Sequence, residues 1–196
     1  MELLRARDYR RMPWKNGGGE TFEIAASPPG APLDAIDWRL SMASVASDGP
    51  FSCFPGIDRT LVILQGEGLQ LEVGEAPRNV RLDRQSQPFA FAGDVPLDAR
   101  LLDGPVTDLN VMSHRERYRH QVQRLQVSGR MTIDTDAPIV ALVCCEGTAL
   151  CGSTQAPPVL LDVRDCLLFR YPPRQLMLNA KPSAVLLLAG FYPTAT

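Results

Sequence analysis

The 196-residue sequence predicts an all-β protein of the sandwich or barrel type, on three observations. Residues 36–42 alternate strictly: Ile36, Trp38, Leu40 and Met42 fall on one face, Asp37, Arg39 and Ser41 on the other. That is the pattern of a half-buried antiparallel strand. Turn signals made of Gly, Pro, Asn and Asp recur at intervals of roughly 8–12 residues. No stretch holds a helical period for three turns.

Taken in order, residues 9–15 lead into a turn at Gly17-Gly18-Gly19, and residues 21–26 form the strand that leaves it. Ser27-Pro28-Pro29-Gly30 begins a loop, because proline supplies no ladder donor. After the alternating strand, Asp48-Gly49-Pro50 turns the chain into a short apolar segment, 51–56, closed by Pro55-Gly56. Residues 61–64 form a strand that stops at Gly66-Glu67-Gly68; another runs over 69–73 and ends at Gly74. Strands over 88–92 and 97–102 flank Gly93-Asp94, and Gly104-Pro105 introduces a strand over 106–112. The charged stretch 114–120 reads as one helical turn or a linker and marks the boundary between two halves, 1–113 and 114–196. Beyond it come alternation to Val127, strands over 139–145 and 149–151 around a turn at Glu146-Gly147, and strands over 159–163, 166–171, 175–178 and 185–191.

Composition narrows the function classes. A formal charge of −2 gives no electrostatic case for nucleic-acid binding. The longest apolar run, 184–191, is far below the roughly 18 residues of a membrane span. The N-terminal residues lack the apolar core of a signal peptide, and five cysteines is an odd number, so a cytoplasmic location with free thiols is expected. All five are read as small buried hydrophobes. Lys15 and Lys181 are the only lysines, which makes a lysine inside the glycine turn conspicuous.

Two features recur about 77 to 79 residues apart. Leu64-Gln65-Gly66-Glu67-Gly68-Leu69 is echoed by Val143-Cys144-Cys145-Glu146-Gly147-Thr148. Phe89-Ala90-Phe91 followed by 97–101 is echoed by Leu167-Leu168-Phe169 followed by 176–178. In order and at one spacing, they favour two copies of one β-barrel unit, and the turn grammar is similar to that of cupin barrels. Cupins hold a metal through closely spaced histidines. Here only His114 and His120 exist, six residues apart: about 20 Å along a strand, or well off one face of a helix. No Cys-x-x-Cys occurs either, so neither metal nor cofactor is expected.

Longer motifs carry a more specific resemblance. Pro13-Trp14-Lys15-Asn16-Gly17-Gly18-Gly19-Glu20-Thr21 is similar to a signature of the HutD/Ves family of bacterial bicupin proteins. So are Trp38-Arg39-Leu40-Ser41-Met42-Ala43, Gly49-Pro50-Phe51-Ser52, Phe54-Pro55-Gly56, Asp58-Arg59-Thr60-Leu61, Gly93-Asp94 and Asp108-Leu109-Asn110-Val111-Met112. The resemblance implies two RmlC-like jelly-roll β-barrels in one chain. It also implies an association with histidine utilisation and small-acid ligands such as urocanate or formylglutamate.

The motif residues suit an acid-binding pocket. Arg59 presents a forked donor pair to a carboxylate and Lys15 a point charge. Gly17, Gly18 and Gly19 leave backbone N–H groups uncovered, while Asn16 and Asn110 offer donors and acceptors for an amide, formyl or imidazole group. Trp14 or Phe51 could supply a flat wall, and Thr21 could cap the turn. Asp108 and Asn110 share one strand face, opposite Leu109 and Val111. Glu23 and Asp108 are the candidate general bases, should the protein be a metal-independent isomerase or hydrolase of such acids. Each residue has a structural alternative: Asn-Gly is a strong hairpin signal by itself, Glu23 could hold Lys15, and Arg59 could pair with Asp58. A protein-interaction module without a small ligand is the third class, and an exposed strand edge could make a homodimer.

Overall fold

The computed structural model describes residues 1–14, 17–74 and 78–194. Sixteen strands and one short 3-10 turn (Ala6–Asp8) make up the described elements. In chain order the strands are β1 (Glu2–Leu4), β2 (Arg10–Pro13), β3 (Gly19–Ser27), β4 (Trp38–Val45), β5 (Gly49–Pro50), β6 (Ile57–Gln65), β7 (Leu69–Val73) and β8 (Arg78–Leu82). They continue with β9 (Phe89–Ala92), β10 (Leu97–Leu101), β11 (Val106–His114), β12 (Tyr118–Asp134), β13 (Ile139–Ser153), β14 (Ala156–Leu161), β15 (Cys166–Arg170) and β16 (Gln175–Pro193). The chain divides into two compact units, Met1–Tyr9 with His120–Pro193, and Arg10–Arg119 with Thr194.

The unit built on Arg10–Arg119 has two sheets. One runs β2-β3-β4-β11-β6-β9 and the other β5-β10-β7-β8. Their facing sides share one apolar cluster: Ala43, Val45, Leu61, Ile63 and Val106 from the first sheet, Leu69, Leu71, Leu82, Leu97 and Ala99 from the second. The alternation in β4 has a different meaning from the one expected. Both faces are covered: Trp38 and Leu40 are buried, and so are Arg39, 7% exposed, and Ser41, 2% exposed. The polar face of β4 points toward the interior, which is possible because Arg39 is neutralised there by an acid from β3.

In the other unit one sheet runs β1-β15-β13-β16-β12, with β14 paired to β13. Val140, Leu142, Leu167, Phe169, Leu178 and Leu186 lie in its core. The N-terminal strand joins it by pairing Glu2 with Leu168 and Leu4 with Cys166. Asp165 fastens that segment, its carboxylate accepting from the Ala6 and Asp162 amides and from Arg5 Nη1 at 2.6 Å.

The turn expected at Glu146-Gly147 is instead a bulge inside one continuous strand, β13, with register shifts at Cys144/Glu146 and Gly147/Ala149. Gly147 takes φ +70°, and a Cβ there would lie 2.4 Å from the Ser183 carbonyl oxygen, so the glycine permits a close strand contact rather than a reversal. β16 likewise fuses the two separate strands expected over 175–178 and 185–191. The repeat survives this fusion as a pattern of pairs. β13 pairs β14, β15 and β16 as β7 pairs β8, β6 pairs β9, and β6 and β7 pair β11 and β10.

Four of the five cysteines are buried; Cys53 is exposed, contrary to the uniform burial expected. Burial pushes the thiol of Cys144 up to about 11 and those of Cys145 and Cys151 up to about 12.

Candidate functional site

Residues paired across antiparallel strands share a face, and three such rows cross the interior face of the larger sheet. Thr21, Ala43, Asp108 and Ile63 form the first. Glu23, Ser41, Asn110 and Leu61 form the second. Arg39, Met112, Arg59 and Phe91 form the third. Four sequence-predicted residues from three strands therefore meet on one buried face: Glu23 of β3, Arg59 of β6, and Asp108 and Asn110 of β11. Leu109 and Val111 point the other way, as the alternation required.

Arg59 is the centre of this face. It is 4% exposed, and its guanidinium carbon lies 5.0 Å from the Phe91 ring centroid, 5.1 Å from that of Phe54 and 5.5 Å from that of Phe51. Nη1 donates to the Ser52 carbonyl at 3.2 Å and Nε makes a long contact to Asn110 Oδ1 at 3.5 Å. The aromatic faces favour the cation without ending its capacity for anions. Asp58 does not hold it. Asp58 and Asp94 are bridged by Arg115, at 2.9 and 3.0 Å.

Asp108 is 1% exposed, and its Oδ1 has no hydrogen-bond partner among the described residues. Burial pushes its carboxyl up to about 7, with the Arg59 charge opposing the rise. Burial also lowers Arg59 to about 10, with Asp108 opposing; the guanidinium stays charged at neutral pH. An orphaned carboxylate oxygen inside an apolar shell is costly unless it is protonated or met by a donor.

The remaining candidates have defined places. Glu23 Oε2 accepts from Arg39 Nε at 2.8 Å, so the carboxylate read as a possible general base is engaged by a buried cation. Trp14 Nε1 donates to Thr21 Oγ1 at 2.8 Å, which makes Thr21 a support for the indole rather than a cap on the turn. Gly19 is required by that packing: a Cβ would lie 2.2 Å from the Ser44 carbonyl oxygen and 3.0 Å from the Trp14 ring. Gly17 has φ +72°, and its amide donates to the Trp14 carbonyl at 3.1 Å, while the Gly18 carbonyl accepts from Ala46. Both glycines are therefore engaged by backbone hydrogen bonds. Lys15 and Asn16 lie outside the described residues.

Sequence reasoning missed Arg39, Ser41, Phe54 and Phe91 as parts of this face. Arg39 and Ser41 looked solvent-facing by alternation; their neighbour across the ladder, Glu23, was the available signal. Phe54 reads only as part of an apolar motif segment and Phe91 only as part of the internal repeat. As a metal centre the donor set does not fit. Its carboxylates, Glu23 and Asp108, are matched by two guanidinium groups and no histidine, and among the described residues no group of three His, Cys, Asp or Glu side chains is placed to hold a metal ion.

A profile of the HutD family matches residues 6–188. A 21.2 kDa protein of Pseudomonas putida, described by its place in the hutC 3' region, is 41% identical over 131 residues, 67% of each chain. Protein Ves of Citrobacter koseri is 42% identical over 120 residues, 59% of this chain and 61% of that one. The chain thus spans about three fifths of the Ves relative's length. Among solved structures, HutD of Pseudomonas fluorescens SBW25, in a formate condition, is 31% identical with a TM-score of 0.81 and 99% of both chains covered. A Lactobacillus farciminis oxalate decarboxylase in complex with formate is 8% identical with a TM-score of 0.69, over 98% of this chain and 88% of that one. That likeness shows the fold alone, which is all-β and cupin-like. With the family profile covering residues 6–188, the chain belongs to the HutD family.

Proposed function

We propose that this chain binds a small carboxylic acid inside the unit formed by Arg10–Arg119 and thereby modulates histidine utilisation in the cytoplasm. The acid would be urocanate- or formylglutamate-like. The observation that carries the reading is Arg59: a buried guanidinium with one backbone carbonyl and one long amide contact, walled by three phenylalanine rings. The planar fork suits a carboxylate, and the rings suit a flat conjugated body. Asn110 and Ser41 supply polar contacts for an amide, formyl or imidazole group. The relative from the hutC 3' region supports the pathway. The matching strand pairs of the two units support two cupin-like barrels in one chain.

The test is thermal denaturation and calorimetry with urocanate, N-formylglutamate and formate. Stabilisation by these acids that is lost in Arg59→Met, with the variant still folded, supports the reading; equal binding in the variant contradicts it.

One observation favours a second reading. Asp108, held at about 7 by burial, has the poise of a general base. Its carboxylate would take a proton from the acid's carbon skeleton or from water while Arg59 holds the anion. Mass spectrometry after prolonged incubation of concentrated protein with urocanate or N-formylglutamate decides it, since a binding protein leaves both unchanged.

A further inference from the structure

We propose that the acid binds together with a proton: as its carboxylate reaches Arg59, the Asp108 carboxylate takes one proton from the solvent and becomes a hydrogen-bond donor to the ligand. This rests on the small-acid reading above and goes beyond it, because it assigns Asp108 as the residue that makes acceptance of an anion possible.

The argument starts from charge. The interior face carries four charged side chains of low exposure among the described residues. Arg39 and Glu23 are matched to each other at 2.8 Å. Arg59 and Asp108 then act as counter-charges to each other, and the described side chains of the compartment sum to zero charge. An incoming carboxylate changes that. With Arg59 positive and both Asp108 and the ligand negative, one negative charge would be left in a buried, largely apolar space. The effective penalty for such a charge is several kcal/mol, which a protein avoids by protonating the group.

Among the described residues nothing nearby competes for the role. On β4 and β6 the residues across from Asp108 are Ala43 and Ile63, and on β3 the same row ends in Thr21. The opposite sheet faces this compartment with leucine and alanine from β7, β8 and β10. Of the charged groups on the same face, Arg10 of β2 is mostly exposed at 66% and sits 4.0 Å from Glu23, not from Asp108. Glu23 keeps Arg39 as its partner.

The geometry also gives the proton somewhere to go. Oδ1 of Asp108 is buried and has no hydrogen-bond partner among the described residues. An ionised carboxylate there only accepts, and faces the ligand's carboxylate with like charge. A protonated one donates. The balance is Asp108–COO⁻ plus H⁺ from the buffer plus the ligand carboxylate, giving Asp108–COOH hydrogen-bonded to a carboxylate that also rests on the Arg59 guanidinium. For a monocarboxylate such as formate, or for one carboxylate of a larger acid whose second carboxylate stays outside, the described side chains and the bound group sum to zero before and after. The carboxyl's own tendency supports the step, since burial already holds it near 7. Loss of Arg59 as a free counter-charge moves it further in the same direction.

The experiment is calorimetric titration of the full-length chain at about pH 8 with N-formylglutamate, and with formate as the smallest carboxylate. Neither acid titrates near that pH. Each titration is run in HEPES and in Tris, whose ionisation heats differ widely. The expected result is a buffer-dependent heat corresponding to uptake of close to one proton per acid bound, and an affinity that falls about tenfold per pH unit above neutrality. In Asp108→Asn, which mimics the protonated form, the uptake disappears and affinity no longer depends on pH. The wild-type titration stands by itself if that variant does not fold. Acid binding with no proton uptake overturns the inference while leaving the small-acid reading intact, and uptake that persists in Asp108→Asn overturns the assignment to Asp108. Absence of binding by either acid removes the reading on which the inference rests.

Discussion

Arg59 and Asp108 lie on the neighbouring strands β6 and β11, project from the same buried face, and oppose each other's response to burial. The guanidinium holds the carboxyl down and the carboxylate holds the guanidinium up, yet burial wins at both. Neither is satisfied by the other alone: Arg59 turns to the Ser52 carbonyl and three rings, and one oxygen of Asp108 has no partner among the described residues. A buried pair in that state is poor as a stabilising bridge and well suited to a polar guest.

Stability should fall as pH rises from about 4 to about 7, in a way that Asp108→Asn removes. A carboxyl raised from 3.8 to about 7 on folding binds more protons in the folded state than in the unfolded state between those values. Folded stability therefore declines over that window, and the full loss is present above about 7. Denaturant titrations at several pH values should show Asp108→Asn more stable than wild type at pH 8, by roughly 1–4 kcal/mol, and nearly equal to it at pH 4.

Glu23→Gln should be destabilising at neutral pH. It leaves Arg39 buried with a neutral partner in place of its ion-pair partner at 2.8 Å. The cost of breaking such a pair is on the order of 1–3 kcal/mol here, because an amide oxygen still accepts. A lower midpoint in urea with an unchanged slope is the expected reading.

Gly19→Ala should disrupt the N-terminal motif without touching any charged group. Its Cβ would meet backbone oxygen at 2.2 Å and the Trp14 ring at 3.0 Å. The indole must then leave Thr21, so a red shift of tryptophan fluorescence and a drop in melting temperature are expected. Thr21→Val removes the Nε1–Oγ1 hydrogen bond alone and should cost only about 1 kcal/mol.

Thiol labelling of the native protein should modify Cys53 alone, since Cys144, Cys145, Cys151 and Cys166 are buried. The buried thiols are also held in the protonated, unreactive form by burial. A thiol-specific reagent should report one fast group in buffer and five after denaturation.

Much of this arrangement was legible in the sequence, for definite reasons. Alternation in β4 and β11 identified which side chains share a face, and Asp108 with Asn110 opposite Leu109 with Val111 came out as expected. Turn chemistry delimited β6, β7, β9 and β10. β8 was missed because its Val80 and Leu82 are interleaved with Arg81 and Asn79 at the edge of a sheet. The bulge at Gly147 was misread because glycine with positive φ serves both turns and bulges, and only the partner strand distinguishes them. Alternation also could not tell which face of β4 meets solvent. Arg39 and Ser41 are polar and interior because Glu23, distant in sequence on β3 (16 residues before Arg39), is brought beside them by pairing. Of the phenylalanine walls around Arg59, Phe51 and Phe54 belong to the same motif as Arg59 and Phe51 reads as a candidate wall, whereas Phe91 reaches it only through the pairing of β6 with β9.

The most direct test is a crystal structure of the full-length chain grown with the acid that binds most tightly among urocanate, N-formylglutamate and formate. The account predicts the ligand's carboxylate within hydrogen-bond distance of the Arg59 guanidinium, with Asp108 Oδ1 facing one of its oxygens. Density for the acid elsewhere, with Arg59 still bound only to the Ser52 carbonyl and Asn110, would contradict it.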